Sequence, residues 1–167
     1  MVDTLLACCQ WLENTPWGAA IRGSSWMFPI AEWIHLSGLS VGLGTSFIVD
    51  LRLLGVGRKQ PTAGELCEGF FAWNWIGFGV AFLGGFLMFS SDATTYMSNT
   101  GFRWKLGILV PLALICHVVV QKKAAAWSRS EKSSAVGKWA GFVELALWTS
   151  VVTGAVYFLL TNAVTHP

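Results

Sequence analysis

Charge is what this sequence has least of. Only 12% of its 167 residues are Asp, Glu, Lys or Arg, about half the share of a soluble domain, which excludes an ordinary water-facing surface. The eleven basic residues are gathered between apolar segments and do not alternate with aromatics along one face, so a nucleic-acid groove is excluded as well. Cysteine is sparse. Cys8, Cys9, Cys67 and Cys116 show no CxxC spacing, and two of them are adjacent; they signal neither a disulfide framework nor a zinc ribbon, and read as small buried or interfacial side chains. The opening MVDTLLACCQWLENTP lacks a positive n-region and carries Asp3 and Glu13 around a short apolar stretch, so no cleaved signal peptide is expected.

Apolar and aromatic residues take the place of charge: 54% of the chain is hydrophobic, with ten Trp and eleven Phe. Four segments, about 26–50, 70–90, 103–121 and 138–161, approach or exceed the ~20 residues needed to cross a bilayer core. Pro29 suits a first helical turn, with Ser25 before it as an N-cap, and Gly55 and Gly57 follow the end of the first span. The first loop carries Arg52, Arg58 and Lys59, and the third Lys122, Lys123, Arg129, Lys132 and Lys138; the opposite side has Arg22, Arg103 and Lys105. The positive-inside rule then makes both basic loops cytoplasmic and both termini periplasmic in a bacterial inner membrane. Tryptophans near the span ends, Trp26, Trp73, Trp75, Trp104, Trp127 and Trp139 among them, read as an interfacial belt.

Residues 1–167 therefore read as one membrane domain, an all-α up-down four-helix bundle in a lipid bilayer. Residues 3–14, with Leu5, Cys9 and Leu12 at helical spacing, are expected to form a short amphipathic helix on the outer membrane surface or against a partner. Small residues recur every fourth position: Gly38, Gly42 and Ser46 in span one, Gly77, Ala81 and Gly85 in span two, Ser150 and Gly154 in span four. They either let helix backbones approach closely or, at Gly38 and Gly42, leave room for a flat macrocycle.

Ionisable groups inside the spans are few: Glu32 and His35 in the first, His117 in the third, Glu144 in the fourth. Each costs about 3 kcal/mol in the membrane centre unless it faces the interior and finds a partner. His35 and His117 lie on parallel spans, as bis-His ligation of a b-type haem requires. From the outer span ends their depths differ by only ~5 Å, whereas from the inner ends the mismatch is about 15 Å. From those same inner ends Glu144 and His117 share a depth, so the carboxylate is expected to orient the imidazole, pair with it or relay protons. Glu32 and His35 form a Glu-x-x-His spacing that occurs once, too few for a di-iron centre. One copper or zinc held by His35, His117 and a carboxylate is the alternative metal. Asp50 and Arg52 fall where the first span meets the cytoplasm and read most simply as surface ion pairing or snorkelling, with a docking corner for another subunit as the alternative. Asn74 reads as marking the interior or an interface of span two.

The segments FPIAEWIHLSGLSVGLG, DLRLLG and NTGFRWKLGILVPLALICH resemble an uncharacterised family of small bacterial four-span membrane proteins with the pattern FPxxExxHxxGL, DLRLLG, NxxFxxK and a histidine late in span three. On that resemblance Glu32, His35, Asp50, Arg52, Asn99, Lys105 and His117 occupy motif positions. Cys116 departs from the expected Phe, and Thr153-Gly154-Ala155 lacks an expected Gly-Arg pair. A more distant similarity is to copper-resistance CopD-like and cytochrome b561-like bundles, at the level of fold. The resemblance transfers no function.

Three functions follow as expectations, with no catalytic set of residues among them. The first is an electron-transfer module holding haem b between His35 and His117 within a larger membrane redox complex. The second is a non-catalytic accessory subunit or homo-oligomer. The third is metal or proton permeation past Glu32, His35, His117 and Glu144.

Overall fold

A computed structural model describes residues 2–57, 60–128 and 134–165, with side chains from residue 4 to residue 157 within those segments. Arg58, Lys59, Arg129 and Lys132, on which the orientation reading draws, lie outside the described residues. The described chain is all-α. Two short helices, α1 (Val2–Glu13) and α2 (Pro16–Gly23), precede α3 (Met27–Leu54) and α4 (Ala63–Ser91). After α5 (Ala93–Ser98) the third long rod is continuous through α6 (Thr100–Trp104), a π-helical turn (Lys105–Leu109) and α7 (Val110–Trp127), and α8 (Ala135–Thr165) returns. Four helices are thus long and apolar enough to cross a membrane, which makes this a multi-pass bundle by length and composition.

The helices run longer than the apolar pattern predicts, because charged residues are tolerated in end turns. The start of α4 lies at Ala63, seven residues before the expected 70, where Thr62 and Glu65 form a reciprocal capping box. Gly55, at φ 92°, closes α3 one turn beyond Asp50, its neighbour Val56 donating to Leu51 in a left-handed C-cap that favours glycine. At the α3 start Ser24, not Ser25, accepts from Trp26 and Met27. Exposed Lys122 and Lys123 sit within α7, which continues to Trp127. With α4 beginning early, Trp73 lies ten residues in and 64% exposed; it belongs to the outward apolar face and not to a belt at the helix end.

Pro111 shapes the third rod. Its ring cannot donate and crowds the preceding turn, and just upstream the Val110 amide reaches back five residues to the Lys105 carbonyl, the signature of a π-turn.

The tightest pair is α3 with α4. A Cβ on Gly38 would lie 2.3 Å from the Ala81 backbone nitrogen, one on Gly77 2.5 Å from the Gly42 nitrogen, and one on Gly84 2.5 Å from the His35 nitrogen. The small-residue stripes of spans one and two therefore face each other, and α4 fills the space beside Gly38 and Gly42. The span-four stripe does not pack this way: Ser150 is exposed and Gly154 meets nothing within 4 Å.

At the terminal-helix end, α1 and α2 are held by protein contacts. Glu13 accepts from the Thr94 amide at 2.6 Å, Gly18 packs under the Ser90 carbonyl, and Arg22 donates to the Ser91 carbonyl at 3.2 Å. Cys9 is buried while Trp11 stays exposed. Burial, with Asp92 and Glu32 nearby, pushes the Tyr96 hydroxyl on α5 above its ordinary pKa.

Candidate functional site: a buried polar layer

Two apolar layers bracket a polar one. Toward the loop end lie Val49, Leu53, Ala63, Cys67, Val120 and Ala124; toward the middle lie Leu43, Phe78, Ala113, Trp148 and Val151. Between them each long helix contributes polar groups at helical spacing: Ser46 and Asp50 from α3, Asn74 from α4, His117 and Gln121 from α7, Glu144 from α8. Asp50, Asn74, His117 and Glu144 are each no more than 1% exposed. Counted from the loop-end termini of their helices, Asp50 is about 6 Å deep and Asn74 about 16 Å.

Asn74 sets the hydrogen pattern. Its Nδ2 lies 2.9 Å from each of the Gly42 carbonyl, Thr45 Oγ1 and Ser46 Oγ, and shares its two hydrogens among these three acceptors. Because a carbonyl only accepts, this orients the amide. Its Oδ1 then faces His117 Nε2 at 2.8 Å, so Nε2 carries a hydrogen. On the other side of the ring, Nδ1 meets Glu144 Oε1 at 2.6 Å. Glu144 in turn is a near neighbour of Asp50, with α8 brought close at Gly141, whose Cβ would lie 3.0 Å from the Asp50 carbonyl. Both Asp50 oxygens and Glu144 Oε2 lack a donor among the described residues.

Proton counting follows from this geometry. With Nε2–H committed to Asn74, one proton between Glu144 Oε1 and Nδ1 and a second on Asp50 would satisfy the three groups. Both arrangements, Asp50–H to Glu144–H to neutral Nδ1, or Asp50–H to a carboxylate to imidazolium, have no net charge. A buried apolar setting favours such neutrality.

Gln121 extends the layer: its Oε1 accepts from Cys67 Sγ at 2.8 Å, and its Nε2 approaches Asn74 Oδ1 at 3.5 Å. Aromatic rings wall the imidazole, with Trp75 and Phe78 edge-on at 5.3 and 5.1 Å and Phe78 stacked on Trp148 at 4.9 Å. All four cysteines are free thiols.

His35 stands elsewhere. Half-buried, it meets the Ala81 carbonyl through Nδ1 at 2.6 Å and lies against Gly84 and Gly85, which assigns the hydrogen to Nδ1. His117 packs against Asn74 and Phe78 on the same helix, about seven residues or 10 Å away, a value between the two sequence rulers. Glu32, one turn before His35, lies toward Tyr96 and not in the polar layer. A haem iron between the two histidines does not fit this packing. His117 would have to give up Asn74 to present Nε2, and the backbone of α4 occupies the space at Gly38 and Gly42. Among the described residues no group of three or more His, Cys, Asp or Glu side chains is placed to hold a metal.

Sequence reasoning put Asp50 at the surface, and the structure buries it completely. The signal was available: Asp50 extends the Gly38, Gly42, Ser46 stripe by one more step of four. Gln121, four residues after His117, carried the same kind of signal. Asn74→Leu should cost about 1–3 kcal/mol by leaving the His117 Nε2–H unpaired, read as earlier unfolding in a graded denaturing-detergent titration.

Comparison with protein-family models, with curated proteins and with solved structures gives no match.

Proposed function

We propose that this protein is a proton-binding membrane module in which Asp50, Glu144 and His117 hold and exchange protons in the half of the bundle nearer the basic loops. In the orientation expected from loop charge, that half is cytoplasmic. The observation that carries the reading is the pair of neighbouring, fully buried carboxyl groups, one of them joined to an imidazole, with no Lys or Arg among their hydrogen-bonding partners in the described residues. Structural polar layers need no acceptor-to-acceptor contacts; a proton site consists of them.

Infrared difference spectroscopy of the protein in hydrated lipid tests this. The wild type should show a protonated-carboxyl carbonyl band that shifts in heavy water, and Asp50→Asn and Glu144→Gln should each remove part of it. Absence of any such band sinks the proposal. A Soret band lost in His35→Ala would instead favour the haem reading.

A second reading is a static accessory bundle, supported by the closure of the layer: Leu53 and Phe78, at 0% and 2% exposure, cap it on either side. A carboxyl band that does not exchange with heavy water while the protein stays folded would decide for it.

A further inference from the structure

We infer that the outer face of the α3–α4 corner is a binding groove for an anionic phospholipid, with the phosphate on Arg52 and an acyl chain on the apolar wall. The groove is open, about 380 Å³, and is lined by Ile48, Leu51, Val56, Pro61 and Leu66 together with Arg52. Its volume lies in the range of ligand clefts. Ile48, Leu51 and Val56 are 47%, 42% and 57% exposed, so an apolar wall runs from the last turns of α3 to the loop beyond.

Three features choose the occupant. The groove starts at a helix end and extends about 9 Å along α3, the six steps of helical rise from Ile48 to Leu54, so one end lies at headgroup depth and the other in hydrocarbon. Its wall offers apolar surface suited to a chain. Among the described residues its charged liner is Arg52, whose Nε donates to the Pro61 carbonyl at 2.8 Å, fixing the guanidinium at the rim. A guanidinium carries five N–H donors in a fork that suits phosphate, and basic sites at this depth select anionic lipids. The groove is separate from the buried polar layer, so this inference stands independently of the proton reading.

The test is native mass spectrometry of the full chain in detergent, titrated with phosphatidylglycerol or phosphatidylcholine of matched chains. Wild type should bind the first phosphatidylglycerol at least about fivefold more tightly than phosphatidylcholine, the effect of one basic residue near the headgroups. Arg52→Gln should bring that ratio close to one. Lys138→Gln, an exposed basic residue on α8, should leave it unchanged. Ile48→Trp, which fills the wall from an exposed position, should weaken both lipids, and it carries the test should Arg52→Gln fail to fold. Equal affinities in the wild type, an equal loss in Lys138→Gln, or an Ile48→Trp variant that binds as the wild type does would overturn the inference.

Discussion

Gly38→Ala should separate α3 from α4 and cost ~3 kcal/mol or more, the upper end for overpacking a tight interface. The single added methyl carbon would stand 2.3 Å from the Ala81 nitrogen and 2.7 Å from the Gly77 carbonyl. Both are backbone atoms of a long helix, so no rotamer change relieves the contact and the rods must part. Parting them also draws Gly42 and Ser46 away from Asn74, which loosens the hydrogen bonds that orient His117. Gly44→Ala on the same helix is the comparison, since its Cβ meets nothing within 4 Å, and it should stabilise α3 by up to about 1 kcal/mol through helix propensity. Unfolding midpoints in a denaturing-detergent titration separate the two; equal midpoints would refute the interface as described.

The second large effect is at Glu144. Glu144→Ala leaves Asp50 without its neighbour and His117 Nδ1 without a partner, both fully buried, and breaking a buried ionisable pair from one side costs about 3–5 kcal/mol. Glu144→Gln should behave differently. Its amide can donate to Nδ1 and its carbonyl can accept from protonated Asp50, reproducing the chain with one proton locked in place. That variant should stay within about 1 kcal/mol of wild type, the size of one hydrogen bond, yet lose the heavy-water-sensitive component of the carboxyl band assigned to Glu144. If Glu144→Ala is as stable as Glu144→Gln, the layer carries no buried ionisable network.

Much of the fold was legible because apolar length and glycine spacing are direct consequences of chain geometry. Four rods, the facing stripes at Gly38, Gly42, Gly77 and Ala81, and the closing Gly55 follow from elementary helix rules. The juxtaposition of His117 and Glu144 was legible too, since both were counted from the same basic end. Misplacement came from reading charge as the edge of the apolar zone. Asp50 sits beside Arg52, and the pair resembles a surface motif, but α3 continues one turn past them and turns Asp50 inward while Arg52 stays at the rim. Lys122 and Lys123 misled the third span in the same way. The distance between His35 and His117 could not be read, because it depends on how far each helix overruns its apolar stretch and on the π-turn before Pro111.

That π-turn has a consequence for any comparison of chain lengths. A turn closed over five residues accommodates one residue more than regular winding does, and each residue of an α-helix turns the chain by about 100°. Because the wide turn absorbs that residue, a one-residue deletion between Lys105 and Leu109 would restore regular winding and leave the downstream face where it is, whereas the same deletion in the regular helix between Val110 and Cys116 would swing that face by about 100°. In the second case His117 would point away from Glu144, and Gln121 with it. The turn at Lys105–Leu109 is therefore where this rod can lose a residue and keep the contact: a chain shorter by one there would still hold the histidine against Glu144.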